Sequence, residues 1–288
     1  MNTPTFSSRN TRSNLWALKP RVGDASTSRV RASTTIATSL PESSSCHYWI
    51  RRFAGEDLEL ELPFADSAHR LEGTAVCTPI VEIAADAAER LRILARNELT
   101  TPFALVLAAW QVVLFRHSGQ SDFVVGCGTP GGNSTVQQRP LLVHATVTGQ
   151  ANFRTLLRTV ATRRAEGATH GNVTIPDLVR AFGANTSPGR HPLFQAAFVQ
   201  RNSLGENATH TADNKHTHPV DIACVWEDNG RTIRIRMEYP AGVIAPDFAA
   251  RLPAHVANVL RAAIALPEAP IATLPMLTTS EYLEKARG

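Results

Sequence analysis

Two stretches of this chain space chemically useful residues as a known site would space them. One is the glycine run Gly126-Cys-Gly128-Thr-Pro-Gly131; the other is the imidazole pair His216-Thr-His218. The glycine run fits G-x-G-x-x-G. That pattern holds a dinucleotide when a helix begins at the glycines and aims its first amides at the pyrophosphate. Here Pro130 stands inside the run, residues 133–140 carry no helical period, and no Asp or Glu occurs between Asp122 and Glu166 to take a ribose hydroxyl. The run therefore reads as a loop, and no nucleotide cofactor is expected. His216 and His218 sit in a polar stretch, Asn202 to His218, with no cysteine near them, which reads as a solvated loop rather than a metal site. Cys46, Cys77, Cys127 and Cys224 form no C-x-x-C pair, so neither a zinc knuckle nor a disulfide framework is expected, and a reducing compartment, the cytoplasm, is the simplest reading. G-x-S-x-G, G-x-x-x-x-G-K-[ST] and H-E-x-x-H are all missing from the sequence, which removes hydrolase, phosphate-loop and metalloprotease readings.

The elements that would have to position any site are legible from periodicity. Tyr48 to Phe53 opens the ordered part, and Leu58-Glu-Leu-Glu-Leu62 alternates as a short strand or extended arm before Pro63. Val76 to Ile83 reads as a strand, and Asp86 as the cap of a helix to about Asn97 with Leu91 and Leu94 inward. Thr101-Pro102 pairs a capping side chain with proline at the first helical position, and the helix to about His117 is apolar nearly all round, hence buried. Strands follow at Phe123 to Gly126 and Leu141 to Thr148. A helix at Phe153 to about Ala165 turns Leu156, Leu157 and Val160 inward and Arg154, Arg158, Arg163 and Arg164 outward. A shorter helix spans 175–182. Strands at Leu193 to Gln200, Asp221 to Glu227 and Thr232 to Tyr239 come next, the last two joined by the hairpin signal Asp228-Asn-Gly230. A long helix from Asp247 to about Ala265 closes the chain. Helices mixed with a late hairpin give an α/β or α+β class with a mixed sheet.

With 288 residues, 43% of them apolar, the chain can bury a substantial core. A net charge of +4 without an aromatic-studded basic cluster gives no footprint of nucleic-acid binding. No apolar run reaches the roughly 18 residues of a membrane span. Residues 1–46 are rich in Ser, Thr and Arg, with Arg9, Arg12, Lys19, Arg21, Arg29 and Arg31 against Asp24 over the first thirty-five. This is the composition of a transit peptide or of a disordered leader; Pro4, Pro20 and Gly23 interrupt any amphipathic helix and favour the leader.

Several segments, in order, carry a family resemblance. Arg190-His-Pro-Leu-Phe-Gln-Ala-Ala-Phe-Val-Gln-Arg-Asn202 resembles the R-N-P-L-F-Q-x-x-F-x-x-Q-N signature of condensation domains of nonribosomal peptide synthetases, matching it at Arg190, Pro192, Leu193, Phe194, Gln195 and Asn202. Leu99-Thr-Thr-Pro-Phe103, Leu114-Phe-Arg-His-Ser-Gly-Gln120 and Asp122-Phe-Val-Val-Gly126 resemble that family's passage through S-G-Q-x-D. His170-Gly-Asn-Val173 with Leu178-Val179 is similar to its H-Q-D-x-P-F-x-x-L-V segment. Tyr48-Trp49 with Leu62-Pro63 resembles its inter-lobe linker, and Ile271 to Glu281 its exit toward a following domain. The resemblance covers roughly residues 47–282. It divides the chain into a leader at 1–46, a linker at 47–72, a C-terminal lobe at 73–282 and a tail at 283–288.

The resemblance implies a single chloramphenicol acetyltransferase-like lobe, an α+β sandwich with a mixed sheet and flanking helices, and an acyl or aminoacyl transferase activity that forms amides. In that family two lobes enclose a tunnel for substrates carried on phosphopantetheine arms. The catalytic motif His-His-x-x-x-Asp-Gly lies in the first lobe, and its second His works within hydrogen-bond reach of the reacting amine. This sequence contains no His-His pair. Asn14-Leu-Trp-Ala-Leu18 faintly resembles the family's R-L-W-x-L opening, as a chain that had lost the intervening lobe would show. The lobe departs from pattern too: Val143-His144-Ala145 stands for V-N-T, Gly131-Gly132 for G-R, Thr174-Ile175 for Pro-Phe, and His191 for the Asn of R-N-P-L-F.

Two functions are expected from this. In the first, the protein is a truncated, degenerate condensation lobe that does not form amides alone and acts by binding a carrier protein or a partner lobe. Arg154 and Arg158 are then candidates to face an acidic carrier helix. In the second, it is an active acyltransferase assembled as a homo-oligomer or with a separate first lobe, and the candidate bases are His144, His170 and His191. No cofactor is expected beyond the phosphopantetheine arm of a carrier, and an apolar seam left bare predicts a homodimer or poor solubility.

Overall fold

The structure, a computed structural model, describes residues 44–53, 59–63, 65–66, 70–71, 75–128, 141–182, 191–202 and 220–287. Residues 1–43, Thr129 to Gly132, Arg190, His216 and His218 lie outside the described residues; Ser44 to Cys46, expected to belong to a disordered leader at 1–46, instead open a helix in which Cys46 is fully buried.

Among the described residues seven strands form one mixed sheet: β1 (Ala75–Cys77), β2 (Val81–Ile83), β3 (Asp122–Gly128), β4 (Leu141–Thr146), β5 (Ala196–Gln200), β6 (Ile222–Asp228) and β7 (Ile233–Pro240). Their order is β1-β7-β6-β5-β3-β4, with β2 also paired to β7. The β3–β5 and β5–β6 pairs are parallel and the others antiparallel. The helices are α1 (Ser44–Phe53), α2 (Ala85–Asn97), α3 (Pro102–Ser118), α4 (Phe153–Thr169), α5 (Ile175–Phe182), α6 (Pro246–Ala249), α7 (Leu252–Ala265) and α8 (Thr279–Arg287). The expected mixed sheet with flanking helices is present.

One face of the sheet carries the main core. Alternation along β5, β6 and β7 turns Ala196, Phe198, Ile222, Cys224, Trp226, Ile233, Ile235 and Met237 toward α2, α3, α4 and α7. α3 lies at the centre of that layer, buried from Phe103 to Leu114, as its all-round apolar sequence requires. Thr101 caps it through a bond from the Ala104 amide, and Gly119 ends it in the left-handed conformation at φ 74°. The tight α2–α3 turn puts Leu99 at φ 51°, an unfavourable conformation for a leucine whose side chain is almost fully exposed. The second face carries a smaller cluster, in which Val124 and Leu142 meet Trp49 and Phe53 of α1, Ile175 and Leu178 of α5, and Phe194.

Several expected elements came out differently for local reasons. Val76 to Ile83 is two strands, because Pro79 between them has no N–H for the ladder. Asp86 sits in the first turn of α2; the N-cap is Ala84. The expected helix from Asp247 is broken at Ala250-Arg251, because Pro253 cannot donate back to Ala249, and α7 restarts with that proline in its first turn. Of the two readings of Leu58 to Leu62, a short strand or an extended arm, the described residues Glu59 to Leu62 fit the arm, since they join no strand. At the C-terminal end, Thr278 and Glu281 form a capping box for α8, and the Glu281 carboxylate also meets buried His255 at 2.9 Å. No single described helix is long and apolar enough to cross a membrane.

Candidate functional site

β4 brings His144 to the second face of the sheet, opposite Val124 of β3. There it is 4% exposed, edge-on to the Phe53 ring at 5.7 Å, with Nε2 3.6 Å from Asp122 Oδ1. That separation is too long for a hydrogen bond, and neither ring nitrogen has another partner. Burial first, then the nearby Arg52 charge, holds the imidazole neutral down to about pH 4. The residue is a weak base in an enclosed position.

His170 ends α4 on the same side of the molecule. Its ring stacks on Tyr48 at 3.8 Å, and its carbonyl accepts the Trp49 indole N–H at 3.0 Å. The Tyr48 hydroxyl in turn donates to Glu166, which also receives Arg163. His170 thus seats α1 against α4. His191 has a different structural task. Its Nδ1 accepts the amides of Leu193 and Phe194, both at 3.3 Å, and its ring lies 3.7 Å from that of Phe194. Accepting two amides fixes Nδ1 as the unprotonated nitrogen, so the imidazole closes the turn that leads into β5. The three histidines are not brought together, and none lines either of two cavities of about 440 and 450 Å³.

The signature around residue 195 is structural as well. Gln195 donates to the His191 carbonyl and accepts the Leu60 amide at 2.7 Å. Gln120, from the S-G-Q segment, accepts the Glu61 amide and donates to the Glu59 carbonyl, each at 2.7 Å. Two glutamines far apart in sequence therefore grip one extended arm, a role the motifs flagged without revealing. Phe194 fills the space over Gly126, where any Cβ would overlap its ring. Pro192 and Leu193 are half-buried and Asn202 is exposed.

Arg154 and Arg158 are engaged within the lobe: Glu98 meets Arg154 at 3.2 Å and Arg158 at 2.8 Å, and Glu268 meets Arg154 at 3.1 Å. Their charge is balanced on the spot rather than offered as a free basic face. Arg164 is different; it lies 4.9 Å over the Phe103 ring. Among the described residues no three metal-ligating side chains converge.

Residues 37–284 match the condensation domain family. Similar curated sequences include a linear gramicidin synthase of Brevibacillus parabrevis, 28% identical over 250 residues, covering 81% of this chain and 5% of that protein. Phosphinothricin tripeptide synthetase of Streptomyces viridochromogenes is 27% identical over 254 residues, covering 81% of this chain and 23% of that protein. Among solved structures, the X-domain in complex with OxyB from teicoplanin biosynthesis superposes with a TM-score of 0.70 at 20% identity, over 81% of this chain and 55% of that one. The condensation domain from the monacolin K polyketide synthase MokA gives 0.64 at 18%, over 80% and 58%. The chain thus spans a small part of the synthetases and a little over half of these separate domains. With the mixed sheet and the ordered segments from Tyr48 to Glu281, these matches place the chain in the condensation-domain family of nonribosomal peptide synthetases.

Proposed function

We propose that this chain serves peptide-synthetase chemistry as a truncated, degenerate condensation lobe that does not form amides by itself and acts by engaging a carrier protein or a complementary lobe. The observation that carries the reading is that His144 and His191 are buried and that His170, half-buried, is stacked on Tyr48. General acid–base catalysis needs a nitrogen within hydrogen-bond reach of the reacting group. His170 is stacked, His191 is a turn cap, and His144 is sealed under Phe53. The motif His-His-x-x-x-Asp-Gly does not occur in the 288 residues, so a partner lobe would have to bring it. The phosphopantetheine arm enters this reading as the carrier's cargo and not as a resident group. A reducing compartment, where the four cysteines stay thiols, completes it.

One observation favours the second reading, an oligomeric acyltransferase: both ring nitrogens of His144 are without hydrogen bonds. A base that takes up a proton only near pH 4 is nevertheless poorly matched to an amine at neutral pH. The test is co-elution with light scattering, using a pantetheine-loaded carrier and, separately, a first lobe bearing the histidine motif. The reading expects a complex with at least one of them. A chain that ignores both and self-associates into a defined oligomer contradicts it.

A further inference from the structure

We infer that α8 is a hinged strap: it leaves the lobe as a unit by turning between Leu277 and Thr278 while the core stays closed, and the Glu281–His255 contact is the latch that holds it shut. The device is independent of which partner the lobe engages.

α8 has nine residues, fewer than the roughly 12–15 a free helix needs in water, so docking must hold it. Helices normally dock by burying an apolar stripe. α8 buries none. Of its residues only Glu281 is buried, at 2% exposure, while Tyr282 and Leu283 are 48% and 52% exposed. No side chain of α8 belongs to the main core. A carboxylate is the group that burial alone disfavours most, so its hydrogen bonds, not hydrophobic contact, attach the helix.

Those bonds fall into two sets. The Thr278 amide and hydroxyl both donate to Glu281 at 2.7 Å. The Thr278 hydroxyl also lies 3.0 Å from that of Ser280, and its carbonyl accepts the Tyr282 amide. Thr278 is therefore bonded to α8 itself and travels with it. The second set crosses to α7. His255 Nε2 lies 2.9 and 3.0 Å from the two Glu281 oxygens. An ionised carboxylate only accepts, so this nitrogen carries the proton. His255 is 0% exposed, and its Nδ1 is held by His117 Nε2 of α3 at 3.3 Å, which fixes the ring in place. Arg251 adds longer contacts to Glu281 at 3.6 Å and to Glu284 at 3.8 Å.

The chain before Thr278 is fixed by other means. Ile271, Leu274 and Met276 are buried in the main core. Arg116 donates to the Leu274 carbonyl at 2.9 Å, and Asn258 to the carbonyls of Met276 and Leu277 at 3.1 Å. The fixed part thus ends at Leu277. Opening keeps the cap of α8 and the core intact; it gives up the His255 bond and the Arg251 contacts, and it bares the imidazole of His255.

The test is amide hydrogen exchange of the full chain, read by mass spectrometry on peptides from α3, α7 and α8. In the unaltered chain α8 should exchange at least about a hundredfold faster than the middle of α7, at a rate that low urea leaves unchanged, as a local opening requires. Glu281→Gln keeps the size and an acceptor but gives up the charge. It should speed exchange in α8 by about tenfold, the loss of one charge-assisted hydrogen bond, and leave α3 and α7 as they were. Tyr282→Ala and Leu283→Ala, at exposed positions, should alter α8 exchange by no more than about twofold. Exchange in α8 as slow and as urea-dependent as in α7 would overturn the inference without any variant. So would a Glu281→Gln chain with unaltered α8 exchange, one in which α3 and α7 loosen equally, or an effect of Tyr282→Ala as large as that of Glu281→Gln.

Discussion

His144 supplies a prediction that separates a buried structural imidazole from a working base. In the folded chain its pKa is held down to about 4, from 6.5, chiefly by burial. An unfolded chain takes up the proton near 6.5, whereas the folded chain refuses it until about pH 4. The folded state is therefore disfavoured progressively as pH falls through that window, and no such effect operates above it. At about 1.4 kcal/mol for each pH unit, the full window is worth at most about 3 kcal/mol, and the drop from pH 7.5 to pH 5 about 2 kcal/mol. His117, half-buried and lowered to about 3, makes the folded state lose stability in the same direction, so the informative quantity is a difference between proteins. His144→Asn keeps a polar side chain of similar reach and removes the titration. Urea unfolding of both proteins at pH 7.5 and pH 5 should show the variant losing about 2 kcal/mol less than the parent. Equal losses in the two proteins would refute the reasoning and return His144 to the list of accessible bases.

Other sites make independent predictions. Gln111 is fully buried in α3 and neither amide atom has a partner; Gln111→Met should raise the unfolding free energy by about 1–2 kcal/mol, read from urea midpoints. Gly126→Ala drives a Cβ into the Phe194 ring and should cost about 1–3 kcal/mol. Phe194→Leu in the same molecule should return part of that, and strict additivity of the two changes would count against the contact. Leu99 holds φ 51° with its side chain in solvent; Leu99→Gly should stabilise the α2–α3 turn by about 1 kcal/mol, measured as a higher midpoint of unfolding.

The fold was largely legible because its signals are local. α3 could be read from Thr101-Pro102 and an unbroken apolar run, and the β6–β7 hairpin from Asp228-Asn-Gly230. Boundaries failed where proline acts over a few residues, at Pro79 and Pro253, since periodicity does not register a missing N–H. The family could be read because its segments hold the fold: Gln120 and Gln195 grip one arm, and Phe194 needs Gly126 bare. What sequence could not reveal was which polar groups end up unpaired. His191 and His144 look alike as letters; one closes a turn and the other has no hydrogen bond, and only the packing of α1 and the path into β5 decide between them. For the same reason the arginines of α4 read as one basic face, although Glu98 and Glu268 balance Arg154 and Arg158 while Arg164 lies over Phe103.

The most direct test of the central claim is amide formation by the chain itself. A donor aminoacyl thioester on one carrier and an acceptor aminoacyl thioester on another are incubated with the purified protein, and the dipeptidyl thioester is followed by mass spectrometry. No product is expected above the protein-free background, and product is expected once a first lobe bearing His-His-x-x-x-Asp-Gly is added. Dipeptide formed by the chain alone, and lost in His144→Ala, would contradict it.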